Sequence, residues 1–190
     1  MSKLQQAISF AAERHDTQFR KITNQPYIFH CVEVAEIVSE MTYDEDVMCA
    51  AVLHDTLEDT KTTKDELEQL FGSRVLQLVQ SESEDKKKGQ DKAATWKLRK
   101  AESLEELSNC NDLDIKKIWL ADKLSNIRSL HRSFLVLSDK LWESFNEKDP
   151  RNHAWYYREI AKELKELSNY APYKEYVELV EELFGGYDEQ

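Results

Sequence analysis

Apolar residues recur at intervals of three and four along most of the chain, as they do on one face of an α-helix. The first stripe runs from Leu4 through Ala7 and Ala11 to His15. A second helix is predicted to begin near Pro26, and a third after the acidic segment YDED, whose charges suit a helix N-terminus. The segments TKTTKDELEQLFG and SRVLQLVQSE predict two more helices, with a glycine closing the first of them.

The helical spacing is interrupted by a polar segment at positions 83–95. This segment predicts either a solvated loop or a mobile flap that carries the lysines at 86–88 over an anionic ligand. Helical spacing returns in TWKLRKAESLEELSN, in DLDIKKIWLADKLSNIRSLHRSF and in two aromatic-rich segments after Asp139. With only 4 Gly and 3 Pro to supply turns, the chain is predicted to form one compact all-α domain, residues 1–190, of eight or nine helices.

Composition and charge limit the partners and the locations expected for this protein. The net charge is −11, from 26 basic and 37 acidic side chains, so binding to nucleic acid is not expected. No run of 18 apolar residues exists, so no membrane-spanning segment is expected. The three cysteines form no CxxC pair, which favours free thiols in a reducing cytoplasm. The last helix carries Val177, Val180 and Leu183, which suit either packing back onto the domain or a homo-oligomer contact.

The triplet His-Asp-Thr occurs twice, and the second copy stands among further acids. His54 continues the apolar stripe of the third helix, and Asp55 follows it. Glu58 and Asp59 come four residues later, so a continuous helix would place all four groups along one edge. Three acids this close repel one another unless a cation lies nearby. The first copy lacks such acids, and its His15 is expected to pack at the end of the first helix.

Two more polar residues fall on apolar stripes. Asp122 shares its stripe with Ile115 and Ile118, and His30 has apolar neighbours along its helix. A buried carboxylate is costly unless it is paired or bound to a metal. His30 alone is also compatible with a hydrogen-bonded core histidine. Together with the second triplet, these residues predict a site for a divalent first-row metal ion with open positions for water and substrate.

Long motifs around these residues resemble a known family. They are FRKITNQPYIFHCVEVA, AAVLHDTLEDTKTTKDELEQLFGSRVLQLV, WKLRK and IWLADKLSNIRSL, within residues 7–131. In this order they resemble the HD-domain metal-dependent phosphohydrolases, and among them the alarmone hydrolases of the RelA/SpoT-homologue class. The short chain and its NHAWYY segment are similar to the small stand-alone members of the metazoan-type group.

The resemblance implies an HD-type fold and an enzyme that hydrolyses the 3′-diphosphate of ppGpp or pppGpp. The products would be GDP or GTP and pyrophosphate, and the family's usual ion is manganese. Matched residue by residue, the metal ligands would be His30, His54, Asp55 and Asp122, and the catalytic acid pair Glu58 and Asp59.

The resemblance also implies a set of substrate contacts. Those to the base, phosphates and ribose would be Arg20, Lys21 and Asn126. Further along the chain, Ser129 and Leu130 would line the nucleoside pocket, and Arg99 and Lys100 would reach the diphosphate.

Two other functions remain open. Ile22 and Asn24 depart from the family pattern in the loop that would hold the base. The same metal site would then act on another phosphorylated nucleotide, such as the 2′-phosphate of NADPH or a nucleoside monophosphate. The third hypothesis is a non-catalytic HD domain that acts as a sensor module. Its expected signature is the loss of a ligand or of the acid pair, and this sequence retains both.

Overall fold

The structure is a computed structural model that describes residues 1–81, 91 and 93–187. Within these residues it contains α-helices and 3-10 helices but no strand, which confirms the predicted all-α class. The flap predicted from the lysines at 86–88 lies outside the described residues. The α-helices are α1 (Lys3–Arg14), α2 (Ile28–Ser39), α3 (Glu45–Leu53), α4 (Thr56–Asp59), α5 (Lys64–Phe71), α6 (Ser73–Gln80), α7 (Trp96–Asn109), α8 (Leu113–Leu137), α9 (Pro150–Glu163) and α10 (Ala171–Phe184), with 3-10 helices at Ser138–Ser144 and Lys165–Leu167.

The chain divides into two compact units. The first comprises Met1–Ser83 and Asp112–Ser125, and the second Glu84–Asn111 and Asn126–Gln190. The boundary therefore falls within α8, and the single domain over residues 1–190 stays a prediction. Among the described residues, no helix combines the length and the apolar character needed to cross a bilayer.

The helix α3 is central to the first unit. The Asp44 side chain caps it by accepting a hydrogen bond from the backbone N–H of Asp46, and the acidic first turn suits the helix dipole. Beyond that turn the helix is apolar nearly all round, and it packs against α1, α2 and α6. The small side chains of Ala50 and Ala51 are fully buried there. This packing holds α3 in the core of the first unit and thereby positions His54, which follows the helix.

In the second unit α9 packs against α7 and α10. The Phe184 ring stacks on Trp142 with centroids 5.8 Å apart and lies 5.6 Å from the ring of Tyr157. Along α10, Val180 and Leu183 are buried while Val177 remains 39% exposed. The C-terminal helix thus packs back within its own unit, which was one of the two alternatives from the sequence.

Replacing Phe184 by alanine is expected to lower the free energy of unfolding by about 3–5 kcal/mol, because the cavity cannot close among rigid aromatic rings. Urea unfolding followed by circular dichroism measures the change. Leu135→Ala is the matched control: this side chain is 72% exposed, and the expected change is within about 0.5 kcal/mol. A similar loss in both variants would contradict the described packing.

Candidate metal centre

The second His-Asp-Thr triplet lies where α3 ends. The His54 Nδ1–H donates to the carbonyl of Ala51 at 2.8 Å, and the Thr56 hydroxyl donates to that of Leu53 at 2.6 Å. These side chains compete with the backbone for the last carbonyls of α3. The helix stops at Leu53, and the single turn of α4 follows. The predicted continuous helix through Asp59 is therefore wrong.

Four predicted metal ligands come together in the first unit. Ligand atoms of His30, His54 and Asp122 all lie within 4.8 Å of one another, and the three residues are buried. The Asp122 Oδ1 is 3.2 Å from His30 Nε2 and 3.7 Å from His54 Nε2. Asp55 joins through its Oδ2, which is 2.8 Å from His54 Nε2 and 3.7 Å from His30 Nε2. We call these four residues the His/Asp cluster.

Burial and charge act against each other in the cluster. Burial disfavours the charged form of every member, and it lowers the pKa of His30. Burial also opposes a charged His54, but the carboxylates of Asp55 and Asp122 outweigh it and hold the pKa of His54 well above its usual value. Against the same desolvation, His54 lowers the pKa of Asp55, and Lys123, at 2.5 Å, lowers that of Asp122. Both carboxylates therefore favour the ionised form, Asp55 beside His54 and Asp122 beside Lys123.

One buried atom in the cluster is suited to bind a metal ion. Among the described residues, His54 Nε2 has no partner with hydrogen-bond geometry, although Asp55 Oδ2 is only 2.8 Å away. Because Nδ1 donates to Ala51, a neutral His54 ring presents the lone pair of Nε2 to the carboxylate oxygens. Two imidazole nitrogens and two carboxylates around one position fit a divalent metal ion. Without a metal, a proton on His54 takes its place.

Binding of a divalent ion to the cluster is therefore expected to release about one proton near neutral pH, because a ligating histidine must be neutral. The raised pKa of His54 keeps that ring protonated beforehand, so affinity for the metal falls as the pH is lowered. Calorimetric titration with Mn²⁺ in two buffers of different ionisation enthalpy measures the release. An observed heat that does not depend on the buffer would contradict this prediction.

Tyr27 connects the cluster to a predicted substrate residue. Its hydroxyl donates to Asp55 Oδ2 at 2.6 Å, and its ring lies 5.3 Å from that of His30. The guanidinium of Arg20 lies 5.8 Å from the centre of the same ring. Tyr27 is not among the site residues predicted from the sequence. Its signal was the spacing of three residues, about one helical turn, from His30.

The first triplet supports the acid pair. His15 is buried at the end of α1, as expected, and its Nδ1 lies 2.7 Å from Gln18 Oε1. The Gln18 amide then donates to Asp59 Oδ2 at 3.2 Å. Asp59 is exposed in α4, while Glu58 beside it is half-buried. His15 thus holds a residue that contacts the acid pair.

The loop predicted to hold the base is a tight turn. The backbone N–H of Arg20 donates to the carbonyl of Gln25 at 2.8 Å, and that of Asn24 donates to the carbonyl of Arg20 at 2.9 Å. Asn24 adopts a φ of 54°, in the left-handed region, which asparagine tolerates better than most residues. The turn therefore forms without a glycine, and it leaves Lys21 exposed and Ile22 half-buried.

The other predicted substrate residues belong to the second unit. The Arg99 Nε donates to Thr95 Oγ1 at 3.4 Å, and the Lys100 Nζ lies 4.9 Å from the centre of the Tyr156 ring. Their contacts with a substrate stay predictions. The same holds for the residues on the later part of α8, which are the half-buried Asn126 and Ser129 and the buried Leu130.

Comparison with known proteins identifies relatives of this chain. A guanosine-3′,5′-bis(diphosphate) 3′-pyrophosphohydrolase of Danio rerio is 42% identical over 133 residues, covering 68% of this chain and 69% of the relative. The bifunctional (p)ppGpp synthase/hydrolase SpoT of Escherichia coli K12 is 39% identical over 133 residues, 68% of this chain. A pyrophosphohydrolase of the same description from Aquifex aeolicus is 38% identical over 130 residues, 67% of this chain. The matched region spans only 18% of the length of each of these two bacterial relatives.

Solved structures and a family model extend the comparison. A structure described as a metazoan ortholog of SpoT that hydrolyses ppGpp is similar with a TM-score of 0.74 and 26% identity, covering 98% of this chain and 96% of the other. A Listeria monocytogenes crystal structure matches with a TM-score of 0.71 and 30% identity, covering 86% and 99%. The model of the HD domain family matches residues 7–140, which include the whole His/Asp cluster. The chain therefore belongs to the HD domain family.

Proposed function

We propose that this chain is a manganese-dependent hydrolase of the 3′-diphosphate of ppGpp or pppGpp. Hydrolysis would release pyrophosphate and leave GDP or GTP. The observation that carries the proposal is the His/Asp cluster, which lies within the region matched by the HD domain family model. Relatives that are 38–42% identical to this chain are described as hydrolases of this diphosphate.

The metal ion would be held by His30, His54, Asp55 and Asp122. A bound divalent ion supplies a Lewis acid, which polarises a phosphoryl oxygen and acidifies water. Imidazole nitrogen together with carboxylate oxygen, without a thiolate, is a donor set compatible with Mn²⁺. The tight burial of the two imidazoles keeps the ligands in place.

The acid pair would handle the proton of the attacking water. Glu58 is half-buried, so its carboxylate is less hydrated than that of the exposed Asp59, and we assign it as the proton acceptor. Asp59 receives a hydrogen bond from the Gln18 amide, which restrains its side chain. We assign Asp59 to orienting the water.

Arg20 and Lys21 would bring positive charge to a polyanionic substrate despite the net charge of −11. The guanidinium of Arg20 is planar and suits both stacking on guanine and bonding to phosphate, while the ammonium of Lys21 acts as a point charge. Asn126 both donates and accepts, which suits a ribose hydroxyl. The remaining assignments are Ser129 and Leu130 for the nucleoside, and Arg99 and Lys100 for the diphosphate.

The turn at Asn24 supports a second candidate substrate. With Ile22 on the same turn, the surface offered to a base differs from the family pattern. The same site would then act on another phosphorylated nucleotide, such as NADPH or a nucleoside monophosphate, and release orthophosphate. For either substrate we propose a cytoplasmic location, where Cys31, Cys49 and Cys110 would remain free thiols.

A side-by-side assay separates the two candidates. Purified protein with Mn²⁺ would be given ppGpp, pppGpp or NADPH, with pyrophosphate and orthophosphate quantified separately. The proposal expects pyrophosphate from both alarmones in amounts equal to GDP or GTP. If NADPH yields orthophosphate and neither alarmone yields pyrophosphate, the proposal is wrong and the second candidate takes its place.

A further inference from the structure

Ser125 lies between His30 and a carboxylate. Its side chain is on α8 and is 1% exposed. The Oγ atom is 2.8 Å from His30 Nδ1 and 2.7 Å from Glu33 Oε2. These contacts link α8 to two positions three residues apart on α2.

The hydroxyl of Ser125 donates its hydrogen bond to Glu33. An ionised carboxylate can only accept, so the short contact with Glu33 requires Ser125 to donate. The Ser125 oxygen then presents a lone pair to His30 Nδ1, which must carry a hydrogen to satisfy the contact. In the neutral ring Nε2 is consequently bare, and it lies 3.2 Å from Asp122 Oδ1.

A neutral His54 ring has the same tautomer for a different reason. Its Nδ1–H is held by the backbone carbonyl of Ala51, whereas His30 depends on two side chains. A carbonyl can only accept, but a hydroxyl can also donate. Without Glu33, Ser125 could donate to His30 Nδ1, and Nε2 would then carry the hydrogen and face Asp122. That tautomer places an N–H where a metal would bind.

We propose that Ser125 and Glu33 are positioning residues that hold His30 in the Nδ1–H tautomer, with Nε2 directed at the metal position. This inference rests on the proposed function in that it takes the His/Asp cluster as the metal centre. Ser125 also follows Asp122 by three residues on α8, so its contact with His30 aligns the helix that supplies the second carboxylate. The pair therefore orients two ligands through one hydroxyl.

The tautomer is measurable without metal or substrate. Ring ¹⁵N–¹H correlation spectra of the metal-free protein would be recorded at about pH 8, where a buried histidine with a lowered pKa is neutral. His30→Gln identifies the signals of the ring. The parent is expected to carry the hydrogen on Nδ1, and Glu33→Met on Nε2. A parent with the hydrogen on Nε2, or a Glu33→Met spectrum with the parental tautomer, would overturn the inference.

Affinity for Mn²⁺ alone gives a second test, in which the electron paramagnetic resonance signal measures the concentration of the free ion. Ser125→Ala and Glu33→Met are expected to weaken binding by about 10- to 100-fold, as is typical of residues behind metal ligands. Ser133→Ala is the matched control, because that hydroxyl donates to the carbonyl of Ser129 on its own helix. It is expected to leave the affinity unchanged.

The outcomes separate this inference from the proposed function. Parental Mn²⁺ affinity in both Ser125→Ala and Glu33→Met, with binding lost in Asp55→Ala, would overturn the role of the pair and leave the metal centre standing. Parental affinity in Asp55→Ala as well would overturn the metal centre itself. Should Ser125→Ala fail to fold, Glu33→Met decides the question, because Glu33 is only half-buried.

Discussion

Replacement of Asp55 by alanine is expected to remove metal binding and alarmone hydrolysis together. Its Oδ2 is 2.8 Å from His54 Nε2 and accepts the hydrogen bond from Tyr27. Loss of a direct ligand should weaken Mn²⁺ binding by more than about 100-fold, beyond what is usual for residues behind the ligands. Mn²⁺ titration and pyrophosphate release from ppGpp, measured on the same preparation, test both effects.

The first His-Asp-Thr triplet provides the control for this variant. Asp16 follows His15 as Asp55 follows His54, but Asp16 is exposed. Asp16→Ala is expected to retain parental metal affinity and turnover. Asp55→Asn, which keeps the shape of the side chain, separates the loss of charge from the loss of packing. Parental turnover in Asp55→Ala would show that the cluster does not hold the catalytic metal.

Glu58→Ala is expected to keep the metal and lose most of the turnover. The residue lies on α4, beyond the four cluster residues, and is assigned as the proton acceptor. Loss of a general base typically costs about 10²- to 10⁴-fold in rate, so a fall of that size in kcat is expected. Steady-state kinetics with ppGpp, at Mn²⁺ concentrations that saturate both proteins, measure it.

Glu68→Ala is the matched control for Glu58, since it removes an exposed glutamate from the neighbouring helix α5. Its kcat and metal affinity should equal those of the parent. A joint loss of Mn²⁺ affinity and turnover in Glu58→Ala would make Glu58 a metal ligand. An unchanged kcat would show that Glu58 is not the proton acceptor.

The helical spacing of apolar residues predicted the all-α class. The meeting of His30, the adjacent His54 and Asp55, and Asp122 was predicted for a different physical reason. A charged or polar side chain on an apolar stripe must find a partner inside the protein. His30, His54 and Asp122 each occupied such a position, and all three are buried in the structure. The motifs around these residues, in their order, then carried the resemblance to the HD-domain phosphohydrolases, and the HD domain family match confirms that family.

Other features had no periodic signal. The end of α3 at Leu53 depends on hydrogen bonds from His54 and Thr56 to the backbone, which compete with a pattern that otherwise continues. Ser125 reaches His30 across 95 positions of the chain, and a serine within a helix indicates no contact by itself. Tyr27 stands about one helical turn before His30, but its hydrogen bond to Asp55 has no signal in the sequence. Local hydrogen bonds end α3, whereas tertiary contacts give Ser125 and Tyr27 their roles.

The His/Asp cluster is expected to hold the metal on which ppGpp hydrolysis depends. The most direct test adds Mn²⁺ stepwise to chelator-treated protein and measures cluster occupancy and the rate of pyrophosphate release in the same samples. We expect no pyrophosphate release without metal, a rate proportional to occupancy of the cluster, and no response to Mn²⁺ in Asp55→Ala. Undiminished pyrophosphate release from the chelator-treated protein would contradict it.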